Sequence, residues 1–292
     1  MMHGAMFHMK HPQGQVWQGS SGGLARAGAG LALAIGLLSA GCSSPEDMAG
    51  ATATATATAE AGAGAGPEAV AFADNAEKDG GKREFAYAWP AEVSAIPALA
   101  ESLAAERDKA LAGQKADWDT ALAEFAGEEC AGCKSLSYAK EWKVVADLPR
   151  YLSLWSDIYL YTGGAHGNSD FEGLVWDREA GEAIAPEAMF TSEAALQDAL
   201  GEAWCDALKA EKKTRLGADY SDDGFFPCPK VSDLTLVADS WGKTAFDHIL
   251  LIAAPYVAGS YAEGPYEVIL PVTPAVLDAV RPEYKAAFAL GT

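Results

Sequence analysis

Between Ser43 and Gly81 the chain has almost nothing with which to build a core. ATATATATA fills 51–59 and AGAGAG fills 61–66. Alternating Ala and Thr has the period of a strand without its hydrophobic face. Such sequence cannot bury enough apolar surface to offset the entropy of an ordered chain. It reads as a flexible spacer, and about 38 residues of such coil reach roughly 35 Å root-mean-square. The fold must therefore come from residues 82–292, enough for one large domain or two small ones. The composition supports a packed domain there. Hydrophobic residues make up 50% of the chain and charged residues 21%, which excludes a wholly disordered or collagen-like protein.

Charge narrows the function. The chain holds 21 basic and 41 acidic residues, a net charge of -20. Lys10 and Arg26 are the only charged residues before Cys42, so the remainder carries 19 basic against 41 acidic, a net of -22. A surface this acidic repels phosphate backbones and excludes nucleic acid as a partner.

Residues 1–30 are free of acids, Leu31–Leu38 (LALAIGLL) form a compact apolar run, and Ser39-Ala40-Gly41 lead into Cys42. This is the basic, apolar and small-residue order of a signal peptide, too short to span a bilayer, which takes roughly 20 apolar residues. LLSAGC resembles a bacterial lipobox, except that Leu stands four residues before the Cys where three is usual. The expectation is a signal peptide over 1–41, acylation of Cys42, a tether over 42–81 and anchoring to a membrane through the lipid. Ser43, where inner-membrane lipoproteins often carry Asp, favours the outer membrane facing the periplasm.

Beyond the tether, Phe85, Tyr87 and Trp89 alternate through REFAYAWP, which predicts a half-buried strand over 83–90. Ile96, Leu99, Leu103, Leu111, Trp118 and Leu122 predict helix over 92–125 with a break near Gly113. Strands are predicted at 138–145, 152–161, 171–177, 234–237, 246–253 and 266–270. A helix is predicted from Ser192, a candidate N-cap, to Lys213, with Gly217 beyond its basic end. A short helix begins within 272–280. Strands come in runs, which argues for α+β with antiparallel sheets and packed helices, divided into two subdomains over 82–168 and 169–288.

With Cys42 acylated, four cysteines remain. In an exported domain they form two disulfides, and proximity favours Cys130–Cys133 and Cys205–Cys228. A zinc site from the same thiols would need two CxxC units, and only 130–133 is one. DYSDDG at 219–224 lacks the regular calcium loop. No metal and no cofactor are expected.

The most distinctive stretch is YTGGAHGN, Tyr161–Asn168. Adjacent glycines after a strand admit positive φ or close backbone approach, and the His between small residues sits on a tight turn. Taken alone this is either a structural turn or a binding site made by Tyr161, Gly163, Gly164, His166 and Asn168. The stretch resembles the hallmark of a family of paired domains of unknown function, seen in the extracytoplasmic part of the lysozyme-sensing anti-sigma factor RsiV and in the peptidoglycan deacetylase PdaC. LVWDREAGEAI (174–184), Met189-Phe190 and APYVAGSYAEGPYEVILPVTPAVL from Ala254 are similar to later parts of the same family. The resemblance implies a sensor or binding module, with lysozyme-like proteins or cell-wall material as ligand class. The acidic charge would steer a basic envelope or lysozyme-like protein towards it.

Only His166 and His248 follow the leader, and the folded region has no GxSxG, HExxH, Walker or dinucleotide motif. The leading expectation is a non-catalytic binding lipoprotein of the cell envelope. A glycan-acting hydrolase using His166 beside a carboxylate, and a structural envelope protein, are the alternatives.

Overall fold

The computed structural model describes residues 66–217, 220–221 and 224–292. The signal peptide, Cys42, the Ala-Thr and Ala-Gly repeats and the Asp222-Asp223 pair lie outside the described residues.

Two strands lie within the segment whose composition reads as tether. Strand β1 (Val70–Ala73) and strand β2 (Ala76–Lys78) both pair antiparallel with β3 (Gly81–Trp89), with Val70 opposite Trp89 and Lys78 opposite Gly81. The tether drawn to Gly81 thus overran two strands. Asp79 (φ 51°) and Gly80 (φ 78°) supply the paired positive φ angles of a two-residue hairpin turn. Phe72 gives β1 an apolar side chain that meets Phe85 edge to face, ring centroids 6.1 Å apart.

Helix α1 (Ala91–Ser94) and the long helix α2 (Pro97–Glu124) follow. The break falls at Ile96, not at Gly113. Pro97 forces the preceding residue out of helical geometry, and Ile96 is extended at φ -117°, ψ 92°. A β-carbon at Gly113 would meet open space, and the helix runs through it. Because α2 crosses over, β3 pairs parallel with β4 (Leu136–Asp147). Among the described residues every other strand pair is antiparallel, including β4 with β5 (Tyr151–Tyr161), β5 with β6 (Asn168–Asp177) and β6 with β7 (Glu182–Ile184). The boundary expected at 168/169 therefore falls inside one sheet, where Leu160 pairs with Asn168.

Helix α3 (Glu193–Leu216) is capped by Ser192, whose hydroxyl accepts from the Ala195 N–H at 3.1 Å. It precedes a three-stranded sheet in the order β10 (Tyr266–Pro271), β9 (His248–Ala253), β8 (Thr235–Asp239), and helix α4 (Pro274–Ala279) follows.

Side-chain alternation stacks these parts. Phe85, Tyr87, Trp89, Trp142, Leu152 and Leu154 face α2, where Leu99 and Leu103 close one core. On the same face Lys140 is 2% exposed, its Nζ 2.5 Å from both Glu106 of α2 and Glu172 of β6. From the opposite face Trp155 and Phe171 meet Val237, Leu250 and Ile252 of the small sheet. The far side of the small sheet (Leu236, Ile249, Leu251, Tyr266, Val268) packs on Leu196, Leu200, Trp204 and Leu208 of α3. The fold is α+β, with the small sheet sandwiched between the large sheet and α3. No described helix is long and apolar enough to cross a membrane.

Candidate functional site

The glycine stretch forms the turn from β5 into β6, and each glycine has its own reason to be there. Gly163 and Gly164 take φ of 94° and 96°, which side chains rarely adopt. Gly167 is buried, and a β-carbon there would collide with the Tyr159 ring and hydroxyl. The Tyr161 hydroxyl donates to the Gly164 carbonyl at 3.0 Å and closes the turn. Asn168 begins β6.

The turn leans on the Cys130–Cys133 disulfide, whose Cα atoms are 5.3 Å apart. A β-carbon at Gly163 would lie 3.3 Å from the Gly132 carbonyl oxygen, and one at Gly132 would lie 3.3 Å from the Tyr161 hydroxyl. The second disulfide, Cys205–Cys228, ties α3 to the loop before β8, Cα atoms 5.7 Å apart.

His166 is exposed at the crest of the turn. Its Nδ1 lies 2.8 Å from the Gly167 carbonyl oxygen. A carbonyl only accepts, so Nδ1 donates in this contact. Nε2 faces the Tyr256 hydroxyl at 3.4 Å. The imidazole stacks on Tyr261, centroids 3.8 Å apart at 21°, and Tyr261 packs against Tyr256 at 5.6 Å. Tyr256 is 52% exposed and holds a φ of 71°, a strained angle for an aromatic residue. The Tyr261 hydroxyl is enclosed without a hydrogen-bond partner. Burial raises its pKa, and the nearby Tyr159 and Tyr256 hydroxyls add to the effect.

The loop carrying Tyr256 and Tyr261 is fixed from below. Glu263 accepts from the Ser260 N–H at 2.7 Å and from the Tyr266 hydroxyl at 2.5 Å. Burial alone would raise the Glu263 pKa, but the Tyr266 and Ser260 bonds outweigh it and hold the carboxyl below its ordinary range. Arg215 of α3 donates to the carbonyls of Glu263 (3.1 Å) and Pro265 (2.6 Å).

The structure places Tyr161, Gly163, Gly164 and His166 in one turn, while Asn168 only opens β6. It sets His166 on Tyr256 and Tyr261, and Tyr159 packs under Gly167. Sequence reasoning did not single out these three tyrosines. Two of these lie in the 254–277 segment read as similar to the family's closing strands, but nothing in their spacing placed them on His166. No group of three or more His, Cys, Asp or Glu among the described residues is arranged to hold a metal ion.

A second constellation was also missed. His248 begins β9, 3% exposed, with Nδ1 donating to Asp247 at 2.8 Å. The Trp241 indole stacks on it, centroids 3.8 Å apart at 18°. Asp247 also accepts the N–H groups of Trp241 (2.8 Å) and Gly242 (2.7 Å). Asp239 accepts the indole N–H at 3.1 Å. Burial would raise Asp247, but His248 and those two N–H groups outweigh it and lower its pKa. At Asp239 burial prevails over the Ser240 and Trp241 bonds, and its pKa is raised.

Residues 77–169 match the family model described as Deacetylase PdaC. That span, about a third of the chain, ends one residue after the glycine motif. The resemblance drawn from YTGGAHGN therefore holds, and the chain carries a PdaC-like segment. Among solved structures it is similar to a DUF3298 family protein from Pseudomonas aeruginosa PAO1, with 17% identity, 73% of this chain and 94% of that one covered, and a TM-score of 0.46. It is also similar to a member of the DUF3298 family from Bacteroides fragilis NCTC 9343, with 17% identity, 77% and 93% covered, and a TM-score of 0.48. No curated protein matches.

Proposed function

We propose that the chain is a non-catalytic ligand-binding lipoprotein of the cell envelope, with the His166–Tyr261–Tyr256 face as its contact surface. The observation that carries this reading is the three-ring stack. Its outer member, Tyr256, is exposed and held at a strained backbone angle by a loop pinned from two sides. Strain kept in a well-braced loop is typical of binding surfaces, and tyrosine supplies contact area with little rotamer entropy to lose. The occupant class is a basic protein of lysozyme type or cell-wall material. A net charge of -20 steers basic proteins towards the domain. Acylation of Cys42 would hold the domain at the membrane, the outer membrane facing the periplasm.

The hydrolase alternative needs His166 beside a carboxylate. Its two ring nitrogens face instead a backbone carbonyl and a phenol. Two measurements test the proposal. Pull-down with the full chain against lysozyme and purified cell-wall sacculi should recover a ligand, and Tyr256→Ala or His166→Ala should weaken capture while leaving the unfolding midpoint near that of the parent. Loss of capture only when the fold is lost would sink the binding reading, and glycan cleavage abolished by His166→Ala would install the hydrolase in its place. Fractionation of Cys42→Ser tests the anchor: a variant as membrane-bound as the parent removes it.

A further inference from the structure

Trp241 stands apart from the other described tryptophans in what covers its ring. Arg107 lies over Trp89, Arg83 over Trp118, Lys140 over Trp142 and Lys143 over Trp155, each cation 4.5–5.8 Å from the ring centroid. Trp176 and Trp204 are buried, at 5% and 0% exposure. Trp241 is 60% exposed, and among the described residues no cation of the chain lies over its ring.

This exposure is built. The indole is backed on one face by the buried His248 imidazole, tied at Nε1 to Asp239 and held at its backbone N–H by Asp247. Gly242 allows the tight return, since a β-carbon there would lie 2.8 Å from an Asp247 oxygen. A side chain held by a ring stack and an indole N–H bond, on a backbone itself bonded to Asp247, loses little rotamer entropy when something lands on it. The remaining face is electron-rich, with the Asp239 carboxyl at its indole N–H edge. An aromatic face beside a carboxylate is complementary to an organic cation. The only basic residue in the loop between β8 and β9 is Lys243, and its backbone sits at φ 55°.

We infer that the open face of Trp241 is a docking site for an arginine or lysine side chain of a basic polypeptide partner, separate from the His166 face. The two sites lie at opposite ends of β9, whose six residues span about 20 Å. The inference does not rest on the His166 reading, and a single ligand long enough to reach both would gain from the pair.

The test uses the full chain and the indole N–H resonance of Trp241, assigned by its loss in Trp241→Leu. Hexa-arginine should shift that resonance saturably, while a hexa-citrulline peptide of the same shape should not. Trp241→Leu leaves the net charge unchanged, so diffuse attraction persists, yet it should weaken total hexa-arginine binding about fivefold. Asp239→Asn should weaken it as well, with the fold checked by the unchanged remainder of the spectrum. Tyr256→Ala should leave the Trp241 response unaltered, which separates failure here from failure of the His166 face. Equal shifts from the citrulline peptide, no loss of affinity in Trp241→Leu, or saturation by a neutral oligosaccharide such as chitotetraose would each overturn the assignment.

Discussion

A β-carbon at Gly164 would meet open space, so any substitution there measures backbone strain alone. Val at φ 96° should lower stability by more than about 1 kcal/mol, and Ala by less, read as a fall in urea midpoint at constant slope. Gly167 fails for a different reason, because its neighbour is the Tyr159 ring. Gly167→Ala should destabilise through that collision, and Tyr159→Ala in the same chain should return part of the loss. A double-mutant cycle with no coupling between the two positions would contradict this packing. The glycines were legible because positive φ and close approach demand residues without a β-carbon. Tyr256 was not, because its value lies in reaching a histidine 90 residues away, and no local pattern encodes that.

At the level of elements, proximity in the sequence favoured Cys130–Cys133 and Cys205–Cys228 among three possible connectivities, and those are the pairs formed. Reducing Cys205–Cys228, or replacing both residues with Ala, should cost about 2–4 kcal/mol in denaturant unfolding. The loss should be accompanied by loosening of the Tyr256 loop, because α3 also carries Arg215, which braces it. Strands with large alternating side chains, such as Phe85, Tyr87 and Trp89 in β3, were evident from the sequence. β1 and β2 were not, because two short strands beside low-complexity sequence offer only Val70 and Phe72 as an apolar signal. The helix break was misplaced from Pro97 to Gly113. A glycine on an exposed helix face costs only about 1 kcal/mol and does not stop a helix that is packed along its other face.

Across the whole molecule, acid should be the destabilising direction at low pH. Asp177 is buried against Arg150, and that hydrogen bond, opposed by burial and aided by two backbone N–H groups, lowers its pKa below 3.8. Asp74 is lowered likewise, first by Lys115 and then, against burial, by Arg83. A depressed carboxyl stabilises the fold fully above its unfolded pKa and loses that contribution as pH falls through the folded value. The urea midpoint should therefore fall as pH drops below about 4. Asp177→Asn should lower the unfolding free energy at neutral pH by about 1–3 kcal/mol and flatten that acid limb. Asp239 and Glu267 have the opposite sign. Burial raises both, so each weakens the fold as pH climbs past the ordinary carboxyl range. Asp239→Asn should accordingly narrow the gap between the midpoints at pH 5 and pH 7.

The order of strands at the edge of the large sheet also has a mechanical meaning. Tension entering from the N-terminal side of the described chain reaches β1 first, a four-residue edge strand held to β3 by one ladder. Peeling β1 and β2 frees residues 70–80, about 37 Å of extended chain, before β3 itself is pulled. The parallel β3–β4 pair and both faces that carry His166 and Trp241 stay loaded only after that slack is spent. The edge would behave as a strain relief, letting the described domain yield at its N-terminal side while the His166 and Trp241 faces keep their shape.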